Sequence, residues 1–274
     1  MGGEIGTPEL QAISRRVRAD ILRAITEAGS GHPGGSLSAT DILLTLYHRV
    51  MRHDPTDPRW PDRDRLILSK GHAAPALYAV LAEQGYIQRD ALSHLREYGS
   101  ILQGHPDATR TPGVEVSSGS LGNGLSIASG LAAALRLDGR PSRVYALLGD
   151  GECDEGLVWE AAMFAPHHRL DNLCAIVDRN GLQIDGPTEK VCALEPIVDK
   201  WRAYNWNVIC TGGHDYDALT AAFEEARGTR GKPTVIVAET VKGKGVSFME
   251  NVVGFHGKAA TRQELEIALK ELGQ

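Results

Sequence analysis

The chain has 274 residues, 42% of them hydrophobic and only 5% aromatic, which is enough apolar length for a substantial core in one domain spanning 1–274. Its net charge of −6 comes from acidic and basic residues that are interspersed, so no basic stripe marks a nucleic-acid surface, and any phosphate has to be gripped locally. No apolar run reaches the roughly eighteen residues of a membrane span, and no partner in the membrane is expected.

Met1-Gly2-Gly3-Glu4 lacks the charged and apolar regions of a signal peptide, and Gly6 stands where a myristoylation motif needs Ser or Thr. The apolar positions Leu10, Ile13, Val17, Ile21, Leu22 and Ile25 predict a helix over Pro8–Ala28 that stops at Gly29. A glycine-rich loop, Ser30-Gly31-His32-Pro33-Gly34-Gly35, leads to a second predicted helix over Ala39–Val50. Arg65–Leu68 reads as a short strand, followed at its carboxyl end by Ser69-Lys70-Gly71-His72 and an alanine-rich helix over Ala73–Glu83. A helical segment is expected within Tyr86–Tyr98. Then come Gly104-His105-Pro106 and Ser118-Gly119-Ser120-Leu121-Gly122-Asn123-Gly124, whose glycines predict irregular backbone beside a ligand, before a helix of small residues over Ile127–Leu137.

The run VYALL breaks into Gly149-Asp150-Gly151, a buried strand ending in a tight turn at a sheet's carboxyl edge, where ligands collect in open α/β sheets. About thirty residues later NLCAIVD ends in Arg179-Asn180-Gly181-Leu182. A crossover helix over Gly156–His168 makes the two strands parallel, so Asp150 and Asn180 face one rim. A carboxylate, an amide oxygen and one backbone carbonyl make half an octahedron, and Mg²⁺ completes about six oxygens with substrate phosphates and water. Downstream, Leu194–Tyr204 reads as a helix, Trp206–Cys210 as a strand, Asp215–Arg227 as a helix capped by Asp215, Thr234–Thr240 as a strand and Thr261–Leu272 as a helix. His214 reads as part of that helix start rather than as a catalytic group. The βα alternation predicts a doubly wound sheet covered on both faces. Cys153, Cys174, Cys192 and Cys210 show no CxxC pairing and read as reduced side chains, which points to the cytoplasm.

These strings together resemble the transketolase family. GDG followed by a spaced Asn resembles its thiamine diphosphate motif, and GDGECDEGLVWEA, SGHPGGSLS, SKGHAAPALYA, GHP, SGSLG and the late HGK resemble its other signatures in the family's order, from Ser30 to Lys258. The resemblance implies an α/β fold, a three-layer doubly wound parallel sheet of the thiamine diphosphate-binding, PP type. It implies a Mg²⁺ (or Ca²⁺) ion on Asp150, Asn180 and the carbonyl of Leu182, with Gly149 and Gly151 at the diphosphate. It places His72 and Lys70 on the phosphate side, the backbone of Gly119 and Leu121 against the aminopyrimidine and thiazolium, and His256 and Lys258 between diphosphate and substrate. His32 and His256 would handle the donor's C3 hydroxyl and His105 its C1 hydroxyl. Glu155 and Glu160 would lie at the subunit interface. Ser118 and Asn123 depart from the Thr and Gln of some members, which leaves the backbone role intact.

A complete transketolase is more than twice as long and carries, in a second domain, the glutamate that activates the cofactor's pyrimidine. The resemblance therefore implies the amino-terminal subunit of a split enzyme. Its partner would be a separate C-terminal subunit with the pyrimidine-binding and carboxy-terminal domains, in an α2β2 assembly acting on sugars or sugar phosphates. Two other readings stand beside it: the α subunit of a 2-oxoacid dehydrogenase or decarboxylase, and a non-catalytic thiamine-binding scaffold. The several histidines favour sugar hydroxyls over the first of these.

Overall fold

A computed structural model describes residues 5–274, so the readings of Met1–Glu4 lie outside the described residues. Helix α1 (Thr7–Ala28) forms as its spacing dictates: Pro8 sits in the first turn, one stripe from Leu10 to Ile25 is buried, and Gly29 closes it with a left-handed φ of 61°. Helix α2 (Pro33–Thr45) starts six residues before the Ala39 expected from its glycines. Pro33 opens the first turn, and every residue from Pro33 to Thr45 is buried, so packing outweighs the poor propensity of Gly34 and Gly35. A wide helical turn, Leu46–Val50, continues it.

Strand β1 (Arg65–Leu68) and helix α3 (Ala74–Glu83) lie where expected, joined by a tight turn at Gly71–Ala73. The segment read as helical over Tyr86–Tyr98 holds only a short 3₁₀ helix, Arg89–His94; a left-handed φ of 64° at Arg96 ends any continuation. Helix α4 (Asn123–Leu137), strand β2 (Val144–Gly149), helix α5 (Gly156–His167) and strand β3 (Leu173–Arg179) follow. A small antiparallel hairpin, β4 (Leu182–Gln183) and β5 (Gly186–Pro187), and the single turn α6 (Thr188–Val191) come next. Helix α7 (Ile197–Ala203) begins three residues later than expected, behind Pro196. Strand β6 (Asn207–Gly212), helix α8 (Tyr216–Gly228), strand β7 (Thr234–Glu239) and helix α9 (Arg262–Glu271) complete the chain. Asp215 caps α8 as expected, its side chain accepting from the N–H groups of Asp217 and Ala218.

The main sheet has five strands in the order β1-β2-β3-β7-β6, and every pairing is parallel. Alternate strand residues feed two cores. Tyr145, Leu147, Cys174, Ile176 and Ile236 pack under α1, α2, α3 and α8, while Val144, Ala146, Leu148, Leu173, Ala175 and Val235 pack under α4, α5 and α7. This is the doubly wound, three-layer arrangement. Register puts Gly149 opposite Asp178 and Asp178 opposite Ala238, so the carboxyl ends of β2, β3 and β7 open on one line.

Candidate active site

That line carries the site. Asp150, 1% exposed at the end of β2, accepts the Gly151 N–H (2.8 Å) on Oδ1 and the Gly181 N–H (2.6 Å) and Arg179 Nη1 (3.2 Å) on Oδ2. One carboxylate thus pins the turns after β2 and β3 together. Burial and the neighbouring Asp178 push its pKa above the usual carboxylate value, against the pull of those donors. A bound cation would reverse that cost. Asn180 Oδ1 accepts the Leu182 N–H (3.2 Å), and the Leu182 carbonyl accepts Lys242 Nζ (3.1 Å). Carboxylate, amide oxygen and carbonyl therefore line one wall of a cavity of about 170 Å³, with Lys70, His72, Lys242 and His256 on its other walls.

Beneath it, Lys70 pairs with the fully buried Asp178, whose carboxylate also accepts from Ser38 Oγ (2.6 Å) and Thr240 Oγ1. Burial alone would raise the Asp178 pKa, but Lys70 and these donors bring it below the ordinary range. Lys70 also donates to the Gly35 carbonyl (3.1 Å), which ties α2 to the end of β1. A second buried carboxylate, Glu152, accepts the Gly122 N–H (2.9 Å), the Gly149 N–H (3.0 Å) and Ser69 Oγ. It stitches the Ser118–Gly122 loop to the GDG turn. Gly122 permits this with a φ of 84°, a conformation that costs a residue with a Cβ.

Above the cavity four imidazoles converge. The His72 and His256 rings stack at 5.2 Å between centroids, and His32 lies 5.3 Å from His72, 5.6 Å from His256 and 6.4 Å from His105. All four are held neutral. Burial, then Arg96, lowers His32 to about 4; burial, then Lys242, lowers His256 to about 3. Burial and Lys70 hold His72 well below the ordinary value, and burial with Arg96 lowers His105. His256 Nδ1 is buried and has no hydrogen-bond partner among the described residues.

The structure brings most of the expected residues together: Lys70, His72, Leu121, Gly149, Asp150, Gly151, Asn180, Leu182 and His256 line the cavity, with His32 and His105 over its mouth. Gly119, at φ 152°, lies so close to His105 that a Cβ would sit 3.1 Å from the ring. Glu155 and Glu160 are exposed, Glu155 at the start of α5 and Glu160 within it. Lys258 does not line the cavity in this chain. Its side chain, 57% exposed, reaches Glu264 (3.5 Å) and lies over the Phe255 ring. Lys242 of the KGKG run takes the cavity position instead, 2% exposed and with a pKa pushed down to about 8 by burial, then Lys70. Lys242, Glu152, Asp178 and Arg96 escape a reading of the sequence. Lys242 lies between glycine-rich turns with no local sign of burial and Arg96 in the segment expected to be helical, so only the βα layout, which sends every strand's carboxyl end to one rim, signals Lys242 and Asp178.

A carboxylate, an amide oxygen and a carbonyl line one cavity together with ammonium and imidazole groups, which is the donor chemistry a divalent cation bridged to a diphosphate requires, and the residues fit that group. Fold and site define an α/β domain of the diphosphate-binding class, with its ligand at the carboxyl edge of a parallel sheet. Residues 10–274 match the family model for the transketolase thiamine diphosphate binding domain. The chain belongs to the transketolase family. It is 46% identical over 264 residues to the 6-deoxy-6-sulfo-D-fructose transketolase subunit SqwG of a Clostridium species, covering 96% of each chain. It is 41% identical over 271 residues to an apulose-4-phosphate transketolase subunit of Phocaeicola vulgatus, covering 99% of this chain and 95% of that one. A Campylobacter jejuni transketolase superposes with a TM-score of 0.92 at 34% identity over 98% of this chain, which spans 43% of the solved chain's length. These matches support the transketolase reading over the 2-oxoacid dehydrogenase and scaffold readings.

Proposed function

We propose that residues 1–274 form one domain that acts as the thiamine diphosphate-binding subunit of a two-chain transketolase. The carrying observation is the convergence of four neutral imidazoles on a cavity walled by Asp150, Asn180 and Leu182. Asp150, Asn180 and the Leu182 carbonyl would hold Mg²⁺ or another divalent ion, and Lys70, Lys242 and His72 would face the diphosphate oxygens. When bound, thiamine diphosphate supplies the nucleophilic carbon needed to cleave the C2–C3 bond of a ketose and pass its two-carbon unit to an aldose.

The chain's own residues manage protons and orientation. His32 and His256 are uncharged at neutral pH, so each has a lone pair ready to take the donor's C3 hydroxyl proton and return it to the acceptor's carbonyl oxygen. Their depressed pKa values make them weak bases alone, and an adjacent anion raises such values toward neutrality. His105, the more exposed of the ring, would meet the C1 hydroxyl. Glu155 and Glu160, exposed beside the Gly122 turn, suit the contact between two cofactor sites.

The partner in this reading is a second chain with the pyrimidine-binding and carboxy-terminal domains, two of each assembling. Its support is that relatives named as subunits match this chain nearly end to end, whereas the single-chain transketolases are more than twice as long. Four unpaired cysteines suit a cytoplasmic location, and no helix among the described residues is long and apolar enough to cross a membrane. Donors are ketoses with an anionic far end, the class to which sulfofructose and apulose 4-phosphate belong. The test is to isolate the assembly through this chain from its own cells, add thiamine diphosphate and Mg²⁺, and assay 6-deoxy-6-sulfofructose, apulose 4-phosphate and fructose 6-phosphate with an aldose acceptor. Ketol transfer from any of them is expected. Turnover of a 2-oxoacid alone would move the assignment to that class, and no turnover at all would favour a scaffold.

A further inference from the structure

A second buried polar cluster lies outside the cavity, under the Val241–Gly245 loop that carries Lys242. At its centre Asp41 of α2, 4% exposed, accepts Arg18 Nη2 (2.7 Å) and Nη1 (3.0 Å), Ser14 Oγ (2.8 Å), the Tyr216 hydroxyl (2.6 Å) and His214 Nδ1 (2.7 Å). Burial opposes its charge, but Arg18 and these donors hold the carboxyl far below its usual range, so it acts only as an acceptor.

Two of these donors, Arg18 and His214, also reach the loop on either side of Lys242. His214 Nε2 meets the Val241 backbone N–H at 2.9 Å, and Arg18 Nε donates to the Lys244 carbonyl at 2.9 Å. A backbone N–H can only donate, so Nε2 is the bare nitrogen and the proton sits on Nδ1, facing Asp41. His214 is therefore fixed as one neutral tautomer. A third pin is the Gly243 N–H on the Gly34 carbonyl (3.0 Å); at a φ of 80° an added Cβ there would meet the Met249 carbonyl at 2.3 Å. Between these pins the buried Lys242 extends a flexible four-carbon stem to the Leu182 carbonyl (3.1 Å), so the position of its Cα, which the loop backbone fixes, decides what its ammonium can reach. The Gly213-His214-Asp215 string, which as sequence reads as a helix start, thus holds a second function.

We propose that His214, clamped by Asp41 beside Arg18, is a positioning residue that fixes the 241–245 loop so that Lys242 faces the diphosphate end of the cavity. The proposal rests on the reading of that cavity as the thiamine diphosphate site. Its test is a double-mutant cycle on cofactor affinity in the assembly purified from its own cells, with thiamine diphosphate titrated at saturating Mg²⁺ and binding followed by tryptophan fluorescence or calorimetry. His214→Phe keeps the ring and loses both hydrogen bonds; its Kd is expected to rise about tenfold, the scale of supporting-shell losses at such sites. In a Lys242→Met background the same change is expected to add less than about twofold, because a residue that acts through Lys242 has nothing left to position. His214→Gln, whose amide has one donor and one acceptor, is expected to stay within about threefold of the parent. If His214→Phe does not assemble, Arg18→Lys, which keeps the charge at Asp41 but loses the donor to Lys244, replaces it with the same expectation. An equal rise of Kd in both backgrounds would show a purely structural role and overturn the positioning, leaving the cavity reading intact. An unchanged Kd in Lys242→Met alone would overturn the cavity reading and the proposal with it.

Discussion

The two ends of the cavity are built on opposite plans. At the oxygen end each polar group is engaged: Asp150 accepts three hydrogen bonds, Asn180 Oδ1 accepts within its own turn, and the Leu182 carbonyl accepts from Lys242. At the imidazole end His256 Nδ1 is buried with no partner among the described residues, His32 Nδ1 has only a long contact of 3.5 Å with Arg96 Nη2, and burial and nearby cations lower the pKa of all four rings. A wall whose oxygens are already held by hydrogen bonds presents them in fixed positions. An uncommitted wall keeps lone pairs available for protons that move. In the proposed reading binding and chemistry are thus separated within one cavity, and substitutions at the two ends should fail in different ways.

The largest effect is expected at the oxygen end. Asp150→Ala removes the one carboxylate of the wall and frees both turns, so the Kd for thiamine diphosphate with Mg²⁺ should rise more than about a hundredfold, beyond what supporting residues cost. A change below about tenfold in calorimetric titration would place the metal elsewhere. At the imidazole end, His256→Ala should lower turnover by about 10²–10⁴-fold, the span of a lost acid–base group, with cofactor Kd held within about threefold. Equal loss of both would make His256 a binding residue and erase the contrast.

A smaller effect concerns pH. His32 and His256 carry folded pKa values of about 4 and about 3 against an ordinary 6.5, so the folded chain binds fewer protons than the unfolded chain between those values. Their contribution is fully present above pH 6.5 and is lost as pH falls toward 4 and then 3. The melting temperature of the cofactor-free chain should fall across that window, and less steeply in a His32→Asn, His256→Asn double variant. An unchanged slope would show that the rings are not held neutral. The smallest effect is expected at Lys258, where replacement by Ala should move turnover and cofactor Kd by less than about twofold. A tenfold loss would return this lysine to the cavity that the exposed side chain leaves.

What is legible in the sequence follows the same division. The strands of the sheet, the parallel crossover and the Asp150–Asn180 pairing follow from local patterns: apolar runs ended by glycine turns, repeated at βα spacing. The start of helix α2 is not legible, because its glycines read as loop until burial of the whole helix is known. The fully buried Asp178 is hidden inside an apolar strand, where an acidic residue signals nothing until Lys70 is brought across from β1. Lys242 and Lys258 share the same chemistry in similar glycine-containing strings, and only tertiary packing tells the buried one from the exposed one. The Arg89–Arg96 stretch reads as a local helix, yet its last residue, half-buried, adds to burial in lowering the pKa of His32 and His105 from outside the chemical motif.

Whether this chain holds one thiamine diphosphate and one divalent ion as half of a two-chain transketolase is decided by composition. Native mass spectrometry of the tagged chain, isolated from its own cells with thiamine diphosphate and Mg²⁺ present, measures it. Two copies of this chain, two of a second chain and two bound cofactors are the predicted composition. A lone chain or a homodimer free of cofactor would contradict it.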